Sequence, residues 1–247
     1  MDRLIYTALT GLMSRSRAQA VTANNLANAT TPGFRRELIA AEGRYLSGGT
    51  PSRAQAGAPS MTTPGDPGRI DATGRPLDIA LNGDAWLALQ GPIVGGQPTE
   101  AYTRRGDLSI SAGGVLQTGD GKAVLNDRGA PVTVPGGASL DIAPDGGLSV
   151  RIGDAVISLG KLKLVAGAGL GGLDKGVDGQ FTTKSSLPVD RSATLTIGAL
   201  ENANVSPAAA LAELVEQSRG FEVNARLLGI AKDIDERTAR LMALDSQ

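Results

Sequence analysis

Asp71, Asp78, Asp84 and Glu100 are the side chains whose type could do chemistry in this sequence. Carboxylates can act as a general acid and base, and a serine beside a lysine can act as a nucleophile. Those are the only polar chemistries left, because the chain has no histidine and no cysteine. The commonest general base, the commonest transition-metal ligand and all thiol chemistry are absent together. Each of the four carboxylates falls in a turn or strand context, where solvation is the ordinary explanation. No G-x-S-x-G elbow is present. One further pattern invites chemistry. Gly167-Ala168-Gly169-Leu170-Gly171-Gly172 matches G-x-G-x-x-G, which binds a dinucleotide only when a helix follows. Here Leu173 to Gly179 follows, with two more glycines and no apolar period, so it reads as a β-connection. We therefore expect no catalytic residue, no cofactor site, no metal site and no enzyme.

The elements around these residues suggest a different use. Ile5, Leu9, Leu12, Ser16, Gln19, Ala23 and Leu26 recur at spacings of three and four, a heptad-like seam. It predicts an amphipathic helix that Asp2 opens and Pro32 stops, with Gly33 giving a turn before Phe34. Asn24, Asn25 and Asn28 crowd its end. Asn is a weak helix former, so these amides are expected either to cap the helix or to set register against neighbouring helices. Residues 34–73 read as an extended linker, with Ser47–Gly68 too poor in large apolar side chains to fold alone. From Gly74 to Ala199 short alternating stretches, such as Leu77–Leu81, Trp86–Leu89 and Leu148–Ile152, recur between Gly, Asn and Asp turns. They predict an all-β domain. Ser206-Pro207 then opens a second long helix. Leu211, Leu214, Ser218, Phe221, Ala225 and Leu228 form its stripe, which drifts toward Leu227, Ile230, Ile234 and Leu241. A drifting stripe suits more than one partner, and the mixed charges opposite it read as a solvated face.

The fold class expected is α+β. Terminal helices over residues 1–33 and 200–247 would pack as a coiled-coil-like core, with residues 74–199 as a Gly-rich β middle. The composition closes other classes. Net charge is −1 over 247 residues, so no basic surface points to nucleic acid. No run of about 18 apolar residues spans a membrane. The N-terminus lacks the continuous apolar core of a signal peptide. Gly at 34 residues and aromatics at 3% favour turns and small-residue packing.

Ala23-Asn24-Asn25-Leu26-Ala27-Asn28-Ala29-Thr30-Thr31-Pro32-Gly33-Phe34 closely resembles the N-terminal signature of bacterial flagellar rod and hook proteins. Gly198–Val205 resembles the segment that leads into that family's C-terminal helix, and Phe221-Glu222-Val223-Asn224-Ala225-Arg226 its helix motif. Leu77–Asp84 and Tyr102–Gly106 are similar to the start of its β domain. Ala85-Trp86-Leu87 and Asn202-Ala203-Asn204-Val205 depart from the family pattern in detail. Among the branches the proximal rod is the better match and the distal rod the rival, with a hook subunit of the same family as a further alternative.

The resemblance implies a structural subunit of the rod, packed by its terminal helices into a helical tube that passes torque from motor to hook. Its partners would be copies of itself and other rod proteins, with the flagellar type III export apparatus during secretion. It would work in the periplasm, exported without a cleaved signal peptide and without membrane insertion. The assembly interface expected is Ile5, Leu9, Leu12, Asn24, Asn25, Leu26, Asn28, Leu211, Leu214, Phe221, Leu228, Ile234 and Leu241, with Pro32, Gly33 and Phe34 as helix stop and turn. A β-domain binding module or adhesin is the competing reading. It explains the middle but not two matched helical ends.

Overall fold

The computed structural model describes residues 2–40, 43–45, 54–56, 60–62, 66–94, 96–167, 174–176, 179–183 and 186–244. The chain forms two compact units. A helical unit holds Met1–Ala29, Arg36–Pro64 and Val205–Gln247; a β unit holds Thr30–Arg35 and Gly65–Asn204. The sequence pattern divides the chain at 33, 73 and 199, whereas the contacts divide it at 29, 35, 64 and 204. Apolar periodicity marks elements, but it does not tell which of them an intervening stretch packs against.

In the helical unit, α1 (Asp2–Ala27) packs along α2 (Pro207–Leu244). Ser206 opens α2 as expected: its carbonyl accepts from Ala210 N–H at 2.9 Å, and its hydroxyl caps Ala209 N–H at 3.4 Å. Pro207 takes the first helical position, where its missing N–H costs nothing. The first helix ends five residues before Pro32, a correction to the expected stop. Asn28 N–H still closes onto the Asn24 carbonyl at 3.1 Å, and its Nδ2 adds bonds to that carbonyl at 3.0 Å and to Asn24 Oδ1 at 2.7 Å. The next N–H, that of Ala29, bonds instead to the Leu26 carbonyl at 3.2 Å, a tighter turn that ends the helix. Where an extended linker is expected, four short strands occur: β1 (Leu38–Ala40), β2 (Gly43–Tyr45), β3 (Ala54–Ala56) and β4 (Ser60–Thr62). β1 pairs antiparallel with β4 and β2 with β3. The rest of Ser47–Gly68 up to Gly65 lies outside the described residues.

The β unit is a chain of short strands, as the turn spacing predicts. They are β5 (Ile70–Ala72), β6 (Ile79–Leu81), β7 (Ala85–Val94), β8 (Gln97–Thr103), β9 (Leu108–Ile110) and β10 (Leu116–Thr118). Next come β11 (Ser139–Ile142), β12 (Gly147–Ile152), β13 (Ala155–Lys161) and β14 (Leu164–Ala166). β15 (Asp174–Lys175), β16 (Phe181–Thr182), β17 (Leu195–Ile197) and β18 (Ala199–Glu201) finish the series. The largest sheet has the order β14-β7-β8-β16-β15. Alternation along β7 explains its near-unbroken apolar run, because both of its faces are covered. Ala85, Leu87 and Leu89 join Ile79, Leu81, Leu108 and Leu116 in the larger core. Trp86 and Ala88 point the other way, to Tyr102, Leu125, Val165 and Phe181. Trp86 and Phe181 meet edge to face at 4.8 Å. The β5–β18 pair, Ile70–Ala72 against Ala199–Glu201, joins two stretches more than 120 residues apart. Neither stretch carries a strand pattern long enough to read by itself.

Candidate functional site

The carboxylates singled out in the sequence are each engaged by their own neighbours. Asp71 accepts from Asn202 Nδ2 and Arg69 Nε, both at 2.7 Å. Asp78 is buried beneath Arg75 and accepts from Thr73 Oγ1 at 2.6 Å. Burial disfavours its charge, but the Arg75 and Thr73 hydrogen bonds prevail and hold its carboxyl below the usual aspartate range. Asp84 receives Trp86 Nε1 at 3.4 Å. The Gly167–Gly172 match lies beyond its first residue outside the described residues, and the next described stretch is strand β15.

Glu100 stands where, among the described residues, a serine meets a lysine. Lys163 Nζ donates to both Glu100 oxygens at 2.6 and 2.7 Å and to Ser186 Oγ at 2.9 Å. Ser186 in turn gives its proton to Glu100 Oε2 at 2.7 Å. A nucleophilic serine would have to give that proton to the lysine, so the arrangement is a closed polar network rather than an activated hydroxyl. Tyr102 completes it, donating to Glu100 at 2.7 Å and accepting from Leu187 N–H at 2.8 Å. Burial pushes Glu100 up, but its bonds from Lys163, Ser186 and Tyr102 outweigh this and hold it low. Burial first, and then the hydrogen bond to Glu100 and its charge, push the Tyr102 hydroxyl up to about 12 against the opposing bond from Leu187 N–H.

The signs fix a pH window. Glu100, lowered on folding, stabilises above its unfolded value of about 4.5, and this contribution is lost as pH falls through its folded value. Tyr102, raised on folding, stabilises below about 10, and this is lost as pH rises toward about 12. Denaturant midpoints measured from pH 3 to 11 should therefore fall at both ends. Tyr102→Phe should flatten the alkaline fall and shrink the acid one only in part, because Glu100 loses one of its three side-chain donors and keeps Lys163 and Ser186. An unchanged alkaline limb in that variant would remove the network from the explanation.

A second constellation is more deeply buried, and no sequence pattern links its members. After Pro32 the backbone turns at Gly33, which has φ 69°, and Gly33 N–H donates to the Glu201 carbonyl at 2.6 Å. Phe34 is then buried with Lys175 Nζ 4.0 Å above its ring centroid. Arg35 Nη2 meets Glu201 Oε1 at 2.9 Å, and Arg104 Nε meets Glu201 Oε2 at 2.7 Å. Gly68 N–H adds a third donor at 2.9 Å. Arg104 completes its fork on the backbone carbonyls of Leu81, Gly83 and Ala85 at 2.6 to 2.9 Å. Burial lowers the Arg35 pKa; the Glu201 charge opposes this, and the Arg104 charge adds to it. Arg104 and Glu201 lie inside segments that resemble the family, and Arg35 just past one, but none of the three carries a pattern of its own. The available signal was a charged residue close to a buried aromatic at Phe34-Arg35 and at Tyr102-Thr103-Arg104; Glu201 has no such neighbour.

The expected interface residues sort by helix face. On α1, Leu9, Leu12, Asn24 and Leu26 are half-buried and Asn25 is buried, with Asn28 half-buried just past its end, while the Ile5 side chain lies outside the described residues. Asn25 spends its amide within its own chain: Nδ2 donates to the Glu37 carbonyl at 2.8 Å, and Oδ1 accepts from Glu37 N–H at 2.9 Å. The side chain thus pairs with the Glu37 backbone as a strand residue would. On α2, Ala210 is buried, and Leu214, Phe221 and Leu228 are half-buried with Gln217, whose Nε2 donates to Thr22 Oγ1 at 3.0 Å. Leu211 and Ile234 are placed differently. With Val215, Val223, Leu227 and Ile230 they form a second stripe, each side chain about half exposed. At 100° per residue this stripe runs roughly opposite Ala210, Leu214, Gln217 and Phe221. The Leu241 side chain lies outside the described residues. One long helix therefore has one apolar face covered within the chain and one open.

Comparison with known proteins agrees with this layout. Residues 5–35 match the family model "Flagella basal body rod protein" and residues 197–241 "Flagellar basal body rod FlgEFG protein C-terminal". Residues 80–150 match "Flagellar hook protein FlgE/F/G D1 domain". The chain is 35% identical to the flagellar basal-body rod protein FlgF of Escherichia coli (strain K12), covering 99% of this chain and 100% of that one. It is also 35% identical to FlgF of Salmonella typhimurium, with the same coverage. With the flagellar basal-body rod protein FlgG of Bacillus subtilis identity is 28% over 98% of this chain and 99% of that one. With helical ends and a β middle each matching at its own position, and relatives aligned end to end, the chain belongs to the flagellar basal-body rod protein family and is a structural rod subunit.

Proposed function

We propose that this subunit occupies the proximal rod and joins copies of itself and other rod proteins through its terminal helices. The observation that carries the reading is the open apolar stripe of α2 from Leu211 to Ile234. Half-exposed Leu, Val and Ile side chains in register along one helix face lose contact with water only against another helix. Burial at about 25 cal/mol per Å² over many identical contacts stabilises a lattice in which one pair would be marginal. Head-to-tail contacts that do not close generate a helical tube, and interlocked helices in it resist twist because many subunits must shear together. Torque from motor to hook would pass this way. Access to the periplasm would be through the flagellar type III export apparatus, with the terminal helices packing into a coiled-coil-like core on assembly. The distal rod is the second reading, favoured by the end-to-end similarity to FlgG proteins.

The stripe gives the test. Val223→Asp with Leu227→Asp puts two charges on the open face and leaves Leu214, Phe221 and Leu228 untouched. The variant should be made at wild-type levels, keep its helical circular dichroism, and be missing from isolated basal bodies. Normal incorporation would show that the stripe is not an assembly surface.

A further inference from the structure

We propose that Glu201 is a clamp that ties the segment ends of the β unit into one cooperative junction, so that each end is held only while the others are in place. The β unit is built from two chain segments, Thr30–Arg35 and Gly65–Asn204. Three of their ends meet at this carboxylate. Arg35, the last residue of the first segment, pairs with Oε1 at 2.9 Å, and Gly68, near the start of the second, donates to the same oxygen at 2.9 Å. The third end is that of β18 itself: Asn204 N–H donates to the Phe34 carbonyl at 3.2 Å, and its Nδ2 to the Asp66 carbonyl at 2.9 Å. Arg35 Nη1 also donates to the Asp66 carbonyl, and Asn202 N–H to the Arg69 carbonyl at 2.8 Å. Each end thus bonds to both of the others, and all share Glu201.

Arg104 makes the arrangement a clamp rather than a set of separate contacts. It fixes the carboxylate from the core side and is itself held by three carbonyls around the β6–β7 turn. The pair is almost wholly out of water, with side chains 2% and 1% exposed. A buried carboxylate that loses one partner keeps its full desolvation cost, so removal of one end weakens the hold on the others. The terminal signature segment is therefore docked only when β5 and β18 are already paired. Pull on one end passes to the other two through the bonds at and around this carboxylate rather than through the hydrophobic core. The inference stands on the β unit's own geometry and is independent of the rod position proposed above.

The test is amide exchange of the full chain, followed by mass spectrometry on peptides covering 30–36, 66–72, 202–206 and, as reference, 86–103. Arg35→Met removes one partner and leaves Glu201 paired with Arg104, so the core stays folded. Exchange should accelerate at least tenfold in all three end peptides while the reference peptide is unchanged. Glu201→Gln should accelerate the same three. Acceleration confined to 30–36 in Arg35→Met would show independent contacts and overturn the clamp, as would no change in any peptide. Should the Gln variant not fold, Arg35→Met alone decides.

Discussion

Replacing Arg104 with methionine is expected to destabilise the β unit by about 3–5 kcal/mol, the range seen when one partner of a buried ion pair is removed. Its side chain is 2% exposed and bonds to the Glu201 carboxylate and to three backbone carbonyls. Methionine fills most of the volume but supplies no donor. The carboxylate then has Arg35 and Gly68 alone, and the Leu81, Gly83 and Ala85 carbonyls lose their donor. The neighbouring residue provides the control. Arg105 pairs with Asp107 at 2.6 Å, but its side chain is 24% exposed. Its replacement by methionine should cost about 1 kcal/mol or less, since water can take over for a partly exposed pair. Urea midpoints of the two variants measure the difference, and equal losses would contradict the burial argument.

The second large effect is expected at Gly33. Alanine there must hold φ near 69°, which costs an L-residue about 1–2 kcal/mol. A Cβ at this position would also overlap the Arg104 carbonyl group and the Arg105 nitrogen, all backbone atoms that cannot swing aside. A further cost of about 1–3 kcal/mol follows from overpacking. Gly74 separates the two causes. Its φ is 73°, and nothing lies within 4 Å of a Cβ built on it, so Gly74→Ala carries the conformational cost alone. Thermal unfolding should place Gly33→Ala well below Gly74→Ala. If the two melt together, the close approach of the signature's turn to Arg104 is not what requires glycine.

These residues mark where sequence reading succeeds and where it stops. Ser206-Pro207 opens α2, and the alternation at Leu77–Leu81 and the run Trp86–Leu89 give β6 and β7, because local chemistry decides those elements. Ala123–Leu125 and Pro131–Val134 also alternate, yet they form isolated bridges to several partners rather than a strand pair. The stop of α1 at Ala27 was hidden because the backbone tightens there, Ala29 N–H bonding to the Leu26 carbonyl, before the proline is reached. The Glu201 junction was hidden for a stronger reason. Arg35, Arg104 and Glu201 are separated by 69 and 97 residues, and no period connects them. Their charge makes solvent the default expectation, and only tertiary structure shows that each is the others' solvent. The α2 stripe was half legible. The apolar residues were visible, but which of the two faces turns inward is decided by α1.

Absolute quantitation of the chain in purified hook–basal bodies, by mass spectrometry against labelled peptides, decides whether it is a built-in subunit of the proximal rod. A proximal rod subunit should be present at a few copies per particle, similar to the other proximal rod proteins. A few tens of copies would assign the chain to the distal rod instead, and its absence from washed particles would contradict the proposal.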